Sequence, residues 1–414
     1  MTRKFTLLLM VLMLALAACG ENGDVGAEDD APEDPDAVDD DDAAADGPED
    51  EAEADGDDAV ADDDTACTLE EPVRVGVVFS QTGGAAVYGV SQLAAAELAA
   101  EHVNDETDIT MELVVEDDAS DPSQGITAYE RLIESEEVSA LIGPTLSNVF
   151  FSAGPVADDA GIPAMGVSTT ADGISEIGDY VFRDSLTEAQ VIPTTVEEAT
   201  ESLGLERVAL MYSDDDAFTV SGYEVFADAA EEQGLEITTT QTFATGDTDF
   251  SAQLTAARDD DPDALFVSGL AEEASLLVPQ ARDLGLDVPI VGGNGFNSPA
   301  VIEHAGDDAE GVIVGAAWNA AADDEANEEF KAAYEEATGR QPDQFAAQSY
   351  AGVKLMAEAI TANCSGEPDD IRDGLAGIQG SDTILGEFSF TEGGDADHVG
   401  VTQIVEDGTF ALLQ

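Results

Sequence analysis

Two short segments of this chain combine glycine, serine and threonine in a pattern that could hold a small anion. The first is Ile142-Gly143-Pro144-Thr145-Leu146-Ser147-Asn148, which follows an apolar run and opens a helical one. The second is Gly166-Val167-Ser168-Thr169-Thr170, which closes the next apolar run. Helix N-termini expose free N–H groups, and parallel α/β sheets bind ligands beyond the carboxyl ends of their strands. These hydroxyl and amide groups could therefore grip a carboxylate, or they could simply cap their own helices.

Other motifs that carry chemistry are absent from the sequence. The chain has no phosphate-binding G-x-x-x-x-G-K-[ST] loop, no G-x-S-x-G nucleophile elbow, no S-x-x-K and no H-E-x-x-H. Its three histidines are dispersed, and its 92 carboxylates are too common for any pair to identify an acid/base couple. The three cysteines are not spaced as metal ligands. We therefore expect no enzymatic activity, no cofactor and no metal site.

The elements that must position the two polar segments alternate between strands and helices. Val73–Phe79 is a β-branched apolar run that predicts a strand, and residues 88–103 then show apolar positions at helical spacing. The alternation continues to about residue 183 and restarts with a predicted helix over 187–202. Two successive series of this kind predict an α/β fold with two parallel-sheet lobes, each with helices on both faces.

The N-terminus has the pattern of an export signal. Arg3 and Lys4 precede an apolar stretch that is too short for a confident membrane span, and the stretch closes as Leu16-Ala17-Ala18-Cys19-Gly20. This closing sequence is similar to a bacterial lipobox, which predicts a signal peptide over residues 1–18 and a lipid on Cys19. The alternative is an ordinary secretion signal with a chance cysteine. Both interpretations predict export, and the lipobox places the protein on the outer face of the cytoplasmic membrane.

The charge of the chain is extreme and unevenly distributed. The sequence carries 92 acidic and 12 basic residues, a net charge of −80, which excludes binding to nucleic acid or to a membrane through a basic patch. Residues 20–66 contain 23 of the acidic residues and no basic one. We interpret residues 19–66 as the lipidated cysteine followed by a disordered spacer, although weak cation binding by its acidic run is an alternative. The acidity of the remaining residues is best explained by adaptation to salt, which screens their repulsion.

An ordered set of short motifs resembles a known family. The set consists of Val73-Arg74-Val75-Gly76-Val77-Val78-Phe79-Ser80-Gln81-Thr82-Gly83, Tyr88-Gly89, Asp117-Asp118-Ala119-Ser120-Asp121-Pro122, Leu141-Ile142-Gly143-Pro144 and Ser168-Thr169-Thr170. In this order the motifs resemble the leucine/isoleucine/valine-binding proteins, the type I periplasmic substrate-binding components of ABC importers. The resemblance runs from about residue 71 to the C-terminus.

The resemblance implies a fold, a function and partners. It implies two Rossmann-like lobes joined by three crossovers, with lobe 1 over residues 71–187 and 319–392 and lobe 2 over 188–318 and 393–414. It implies a monomer that traps a small amino acid, carboxylate or amide between its lobes and delivers it to ABC permease subunits. A sensor that couples the same module to a signalling partner is the alternative. An enzyme built on the same lobes is a more distant one.

Carried over position by position, the resemblance also implies ligand contacts. Ser147, Ser168 and Thr170 match residues that hold the ligand's carboxylate, with Thr169 between the last two. The aromatic matches are Tyr88, Phe218 and Phe345. The family's glutamate that pairs with the ligand's ammonium falls at Asn294, and the tyrosine beside it falls at Leu270. Because a neutral amide makes no charge-assisted contact, a carboxylate without an ammonium, a short amide or urea would suit Asn294 at least as well as an amino acid.

Two cysteines remain once Cys19 is assigned to the lipid. In an exported protein, Cys67 and Cys364 are expected to form one disulfide, which would tie the end of the spacer to the first lobe. The alternative is two free thiols.

Overall fold

The structure is a computed structural model, and it describes residues 67–322 and 324–413. The predicted signal peptide, Cys19 and acidic spacer lie outside these residues. Among the described helices, none combines the length and the apolar character needed to cross a membrane.

The first part of the chain alternates strands and helices around a five-stranded sheet. Its elements are β1 (Val73–Phe79), α1 (Ala86–Glu106), β2 (Met111–Asp117), α2 (Pro122–Glu134), β3 (Ala140–Ile142), α3 (Ser147–Ala160), β4 (Ala164–Gly166) and β5 (Val181–Arg183), with a 3₁₀ turn at Ser175–Ile177. The strands are parallel and lie in the order β2-β1-β3-β4-β5. We refer to this as the first sheet.

The chain then builds a second sheet in the same manner. The elements are α4 (Glu188–Leu203), β6 (Arg207–Ser213), α5 (Ala217–Glu232), β7 (Glu236–Phe243), α6 (Ser251–Asp259), β8 (Ala264–Ser268), α7 (Ala271–Asp283), β9 (Ile290–Gly292), α8 (Pro299–Ala305) and β10 (Ile313–Ala316), with 3₁₀ turns at Asn294–Phe296 and Gly306–Ala309. Strands β6 to β10 are parallel, and their order repeats that of the first sheet.

The last hundred residues pack against the first sheet, form a small antiparallel sheet of their own and add two strands to the second sheet. They form α9 (Glu325–Thr338), α10 (Gln344–Asn363), α11 (Pro368–Ala376), β11 (Ser381–Thr383), β12 (Gly386–Phe390), β13 (Ala396–Asp397), β14 (Val401–Glu406) and β15 (Thr409–Leu412). Helix α10 packs against α1 of the first sheet, whereas β14 and β15 add an antiparallel edge next to β10 of the second. The chain thus passes between the two sheets three times within the described residues. The predicted α/β class with two Rossmann-like lobes and three crossovers is confirmed.

Alternating side chains of β1 fill the core on both faces of the first sheet. Val75, Val77 and Phe79 face α1 and α10, while Val78 faces α2 and α3, and all four are fully buried. A parallel sheet that is covered on both faces needs such a continuous apolar strand. For this reason the apolar run of β1 could be recognised as a strand from the sequence.

A disulfide joins the start of the described chain to the end of α10. It links Cys67 to Cys364, whose Cα atoms lie 5.3 Å apart and which are separated by 297 positions in the sequence. Closing so long a loop restricts the unfolded chain, which is the main way in which disulfides stabilise proteins.

Candidate functional site

The two sheets direct the carboxyl ends of their strands toward one shared cavity. Both sheets follow the 2-1-3-4-5 order, in which ligands bind beyond the strand ends at the point where the strand order reverses. The cavity encloses about 20 Å³, which is room for about one water molecule. Its lining residues are Tyr88, Thr145, Leu146, Ser147, Ser168, Phe218, Leu270, Asn294, Gly295 and Phe345. An amino acid can enter only if the surrounding walls move apart.

The hydroxyl groups on the first-sheet side differ in how many hydrogen bonds they can still donate. Ser168 Oγ donates to Thr145 O at 2.6 Å, and Thr170 Oγ1 donates to Glu188 Oε1 at 2.8 Å. Ser147 Oγ instead accepts a hydrogen bond from Ala171 N at 3.3 Å, so its own proton stays free for a ligand. Ser147 is the first residue of α3, where the backbone N–H groups of the first turn have no acceptor within the helix. This wall therefore offers donors, with Ser147 the best placed of the three hydroxyls.

A buried arginine supports the loop that carries Ser168 and Thr170. Arg183 is 1% exposed, and its guanidinium donates to the carbonyl oxygens of Thr169 and Ala171. Its Nε also pairs with Asp395 Oδ1 at 2.6 Å. The positive charge thus lies behind the loop and favours a bound carboxylate on the other side of it.

Tyr88 connects the two sheets across the cavity. It lies on α1, and its hydroxyl donates to Gly295 O at 2.7 Å and accepts from Ala271 N at 2.6 Å, both on the second-sheet side. Burial raises the pKa of Tyr88 well above its ordinary value, and the nearby carboxyls of Glu273 and Asp343 raise it further. The neutral phenol is therefore the form that makes this bridge.

The second-sheet wall combines an amide with apolar side chains. Asn294 Oδ1 accepts a hydrogen bond from Gln344 Nε2 at 2.5 Å, and Gln344 Oε1 in turn accepts from Asn297 Nδ2 at 2.8 Å. Leu270 and Phe218 are the apolar side chains of this wall. Phe345 lies on α10, on the first-sheet side, and its ring centroid is 4.3 Å from that of Tyr88.

Several buried carboxyl groups surround the same cavity. Glu188, the first residue of α4, is 2% exposed, and burial raises its pKa to about 7. Asp216 and Glu273 are also buried, with pKa values raised by burial, and the enclosed carboxyl of the half-buried Asp343 has a pKa raised to about 6 for the same reason. None of the lining residues is a lysine or an arginine. Asp343 caps α10 on the first-sheet side, whereas the other three carboxyls lie on or cap second-sheet helices. The second-sheet side is therefore rich in acidic groups.

Most of the residues chosen from the sequence meet at this cavity. Those that line it are Tyr88, Ser147, Ser168, Phe218, Asn294 and Phe345, together with Leu270. Thr169 and Thr170 are not among the lining residues: the Thr169 hydroxyl is buried without a hydrogen-bond partner, and that of Thr170 is bound to Glu188. Their assignment as ligand contacts stays a prediction.

Sequence reasoning missed Glu188. An acidic residue in the first turn of a helix is ordinary because it complements the helix dipole, and Glu188 stands inside the capping box formed by Thr187 and Gln190. In a chain with 92 carboxylates, no signal in the sequence marks it. Only its burial shows that it is unusual.

A wider groove lies on the opposite side of Gln344. It holds about 380 Å³, and its lining combines polar side chains with apolar ones such as Trp318 and Phe410. Lys331 at its edge is already bound to Ala320 O and Glu328. We place the functional site at the smaller cavity because polar groups from both sheets converge there. The described residues contain no cluster of three or more histidine, cysteine or acidic side chains suited to a metal ion.

Comparison with known protein families identifies the class of protein to which this fold and this two-sided cavity belong. Residues 72–408 match the family described as periplasmic binding protein. The chain belongs to this family, and its relatives place it in the type I, branched-chain amino acid group. The resemblance stated from the sequence motifs is thereby confirmed.

Individual relatives cover almost the whole of the described chain. The Leu/Ile/Val-binding protein homolog 1 of Brucella abortus is 28% identical over 331 residues, which are 78% of this chain and 87% of that protein. The branched-chain amino acid transporter substrate-binding protein LivJ of Streptococcus pneumoniae, solved with isoleucine, is 27% identical with a TM-score of 0.77, covering 82% of this chain and 98% of that one. A solute-binding protein of an ABC transporter from Rhodopseudomonas palustris, solved with 3,4-dihydroxybenzoic acid, is 26% identical with a TM-score of 0.75, covering 83% and 96%. These relatives are solute-binding proteins rather than enzymes.

Proposed function

We propose that this protein is the extracytoplasmic solute-binding component of an ABC importer of the branched-chain amino acid type. It traps a small amino acid, or a related carboxylate or amide, and delivers it to the permease subunits. The observation that carries the proposal is the cavity enclosed by residues from both sheets, with donors from the first sheet and acceptors from the second.

Ligand capture works as closure of two lobes around a hinge. Lobe 1 comprises residues 71–187 and 319–392, and lobe 2 comprises residues 188–318 and 393–414. A ligand that contacts both lobes stabilises the closed form over the open one, and it shifts the equilibrium only by its difference in affinity for the two. Tyr88 supports this mechanism because it reaches from α1 to Gly295 and Ala271, and opening of the lobes would break these two hydrogen bonds.

Delivery to a permease requires that the protein stay near the membrane. We propose that a lipid on Cys19 anchors the chain to the outer face of the cytoplasmic membrane, with residues 20–66 as a spacer and the protein acting as a monomer. Known members of the family are periplasmic or extracytoplasmic, which supports this location.

The relatives indicate which ligands to test. One solved relative holds isoleucine and another holds 3,4-dihydroxybenzoic acid, so both amino acids and carboxylates without an ammonium belong in the panel. The experiment is a thermal-shift screen of the purified protein in high salt with branched-chain amino acids, their deaminated acids, hydroxybenzoates, short amides and urea. We expect at least one of these solutes to raise the melting temperature in a saturable manner. The absence of stabilisation by every member of the panel would contradict the proposed function.

A further inference from the structure

One hydrogen-bonded pair of side chains separates the small cavity from the wider groove beside it. Gln344, the first residue of α10, lines the groove of about 380 Å³. Its Nε2 donates at 2.5 Å to Oδ1 of Asn294, which lines the cavity of about 20 Å³. The Gln344–Asn294 pair therefore lies between the two spaces, and we refer to it as the partition.

The partition is fixed by further hydrogen bonds. Gln344 is 3% exposed, and its Oε1 accepts from Ala317 N at 2.6 Å and from Asn297 Nδ2 at 2.8 Å. Its backbone is also held, because Asp343 caps α10 by accepting from Ala346 N at 2.8 Å. Moving the Gln344 side chain aside would leave buried polar groups without partners, which costs free energy. We therefore expect the partition to stay in place when a ligand binds in the cavity.

The groove beyond the partition is suited to an apolar chain. Ile302, Trp318 and Phe410 contribute apolar side chains to its lining. Two of its polar side chains already have partners, since Lys331 Nζ donates to Ala320 O at 2.9 Å and Gln341 Nε2 donates to Glu335 Oε2 at 2.7 Å. An alkyl group that entered the groove would leave water and gain affinity, by about 4-fold for each buried methylene. The partition stands between this apolar surface and a ligand in the cavity.

We propose that Gln344 is a specificity-determining residue that limits the length of the ligand. It holds Asn294 in place and fills the space behind it. The wild-type site accepts compact solutes and rejects those whose chain would have to pass the partition. Shortening Gln344 joins the cavity to the groove and admits longer solutes. This inference rests on the proposed solute-binding function and names the size class of its ligand.

The first test is a chain-length series on the wild-type protein by titration calorimetry. Straight-chain L-2-amino acids from alanine to 2-aminooctanoate are compared with carboxylates from propionate to octanoate, so that the result does not depend on which head group binds. We expect affinity to rise with chain length up to a limit and then to fall at least about 10-fold, because a longer chain clashes with the partition.

The outcomes of this series separate the inference from the function. A continuous rise in affinity up to the longest member would show that the partition does not limit length, and the solute-binding function would stand. If neither the series nor the thermal-shift panel contains a solute that binds, the function itself is contradicted and the inference falls with it.

The second test shortens Gln344. In Gln344→Ala we expect the ratio of long-chain to short-chain affinity to rise at least about 10-fold over wild type, as two methylenes enter the groove. A general weakening of lobe closure would lower both affinities and leave this ratio unchanged. Gln341→Ala is the matched control, because Gln341 also lines the groove but is exposed and binds Glu335 instead of a cavity residue.

A graded variant keeps the second test decisive if Gln344→Ala does not fold. Gln344→Asn retains the amide and removes one methylene, so we expect it to raise the same ratio by about 4-fold. An unchanged ratio in Gln344→Ala, or in Gln344→Asn when the first variant does not fold, would overturn the inference. So would an equal rise in Gln341→Ala.

Trp318 reports whether the longer ligand reaches the groove. It is the only tryptophan of the chain, it is 4% exposed and it lines the groove. In Gln344→Ala we expect a long-chain ligand to shift the tryptophan emission to shorter wavelength than a short-chain one does, because the alkyl chain replaces water near the indole. In the wild type, ligands of different length should give the same emission. Identical emission with long and short ligands in Gln344→Ala would contradict the inference.

Discussion

The two walls of the cavity have been built from the same kind of βα unit, yet they offer opposite chemistry. The first-sheet wall carries the Ser147 hydroxyl, the N-terminus of α3 and, behind its loop, the Arg183 guanidinium. The second-sheet wall carries the Asn294 amide and, close behind it, the buried carboxyl of Glu188. A repeated architecture has thus produced a polarised site, because the loops after the strands differ while the strand order does not.

This difference explains how a chain with so much negative charge can hold a carboxylate. The charge is carried by many residues, but the first wall turns donors toward the cavity and keeps a paired cation behind them. The second wall turns the acceptor oxygen of Asn294 toward the cavity and keeps the buried carboxyl of Glu188 behind it. The predictions that follow disrupt one wall at a time.

The largest expected effect comes from removing the cation behind the first wall. Arg183→Met leaves two carbonyl oxygens and Asp395 without their buried partner, and we expect the free energy of unfolding to fall by about 3 kcal/mol or more. Urea unfolding in high salt measures this. Arg340→Met, at an exposed position, is the control and should change stability by no more than about 0.5 kcal/mol. Equal stability of the two variants would show that Arg183 does not support the loop behind the first wall.

The second wall should make the stability of the protein depend on pH. Burial raises the pKa of Glu188 from 4.5 to about 7, so the folded chain keeps a proton that the unfolded chain has lost between these values. The contribution of Glu188 to the free energy of unfolding should therefore fall by about 3 kcal/mol as the pH rises from 4.5 to 7. Unfolding of ligand-free wild type and Glu188→Gln across this range isolates the contribution, since the variant lacks it. Parallel pH profiles for the two proteins would show that the pKa of Glu188 is not raised in the folded chain.

Tyr88→Phe should weaken the connection between the walls. The change removes the donor to Gly295 O and leaves Ala271 N–H without its acceptor, so we expect ligand affinity to fall roughly 10-fold. Tyr334→Phe is the matched control, because that hydroxyl contacts only Ser91 on α1 and does not reach the second sheet. A similar loss in both variants would mean that the bridge across the cavity is unimportant.

The smallest expected effect separates two hydroxyls of the first wall. Ser147→Ala should weaken a carboxylate-bearing ligand by up to about 10-fold, because Ser147 has a free proton to donate. Thr170→Ala should have a smaller effect, of about 3-fold, because the Thr170 proton is already bound to Glu188. Titration of both variants with the same ligand measures the difference. Unchanged affinity in both variants would show that these hydroxyls do not bind the ligand's carboxylate.

The sequence predicted the fold well because the apolar pattern is clear where strands are covered on both faces. The strand Val73–Phe79 has the predicted bounds. Helices α8 and α11 were not predicted, since helices of seven and nine residues are too short to show a clear helical period.

The candidate site was only partly predictable. Ser147 follows from a motif at a strand end and Tyr88 from the family resemblance, but the role of Thr170 depends on a hydrogen bond to a residue 18 positions away. Glu188 could not be distinguished from other acidic residues until its burial was known. Which hydroxyl donates and which carboxyl is buried depends on packing between loops, and no local pattern specifies that.

The most direct test of the central claim is titration calorimetry with the amino acid that stabilises the protein most in the thermal-shift screen. The account predicts one ligand per chain, with affinity reduced in Ser147→Ala from the first wall and in Asn294→Ala from the second. Binding that is unchanged in both variants, or a stoichiometry other than one, would show that the solute does not bind between these two walls.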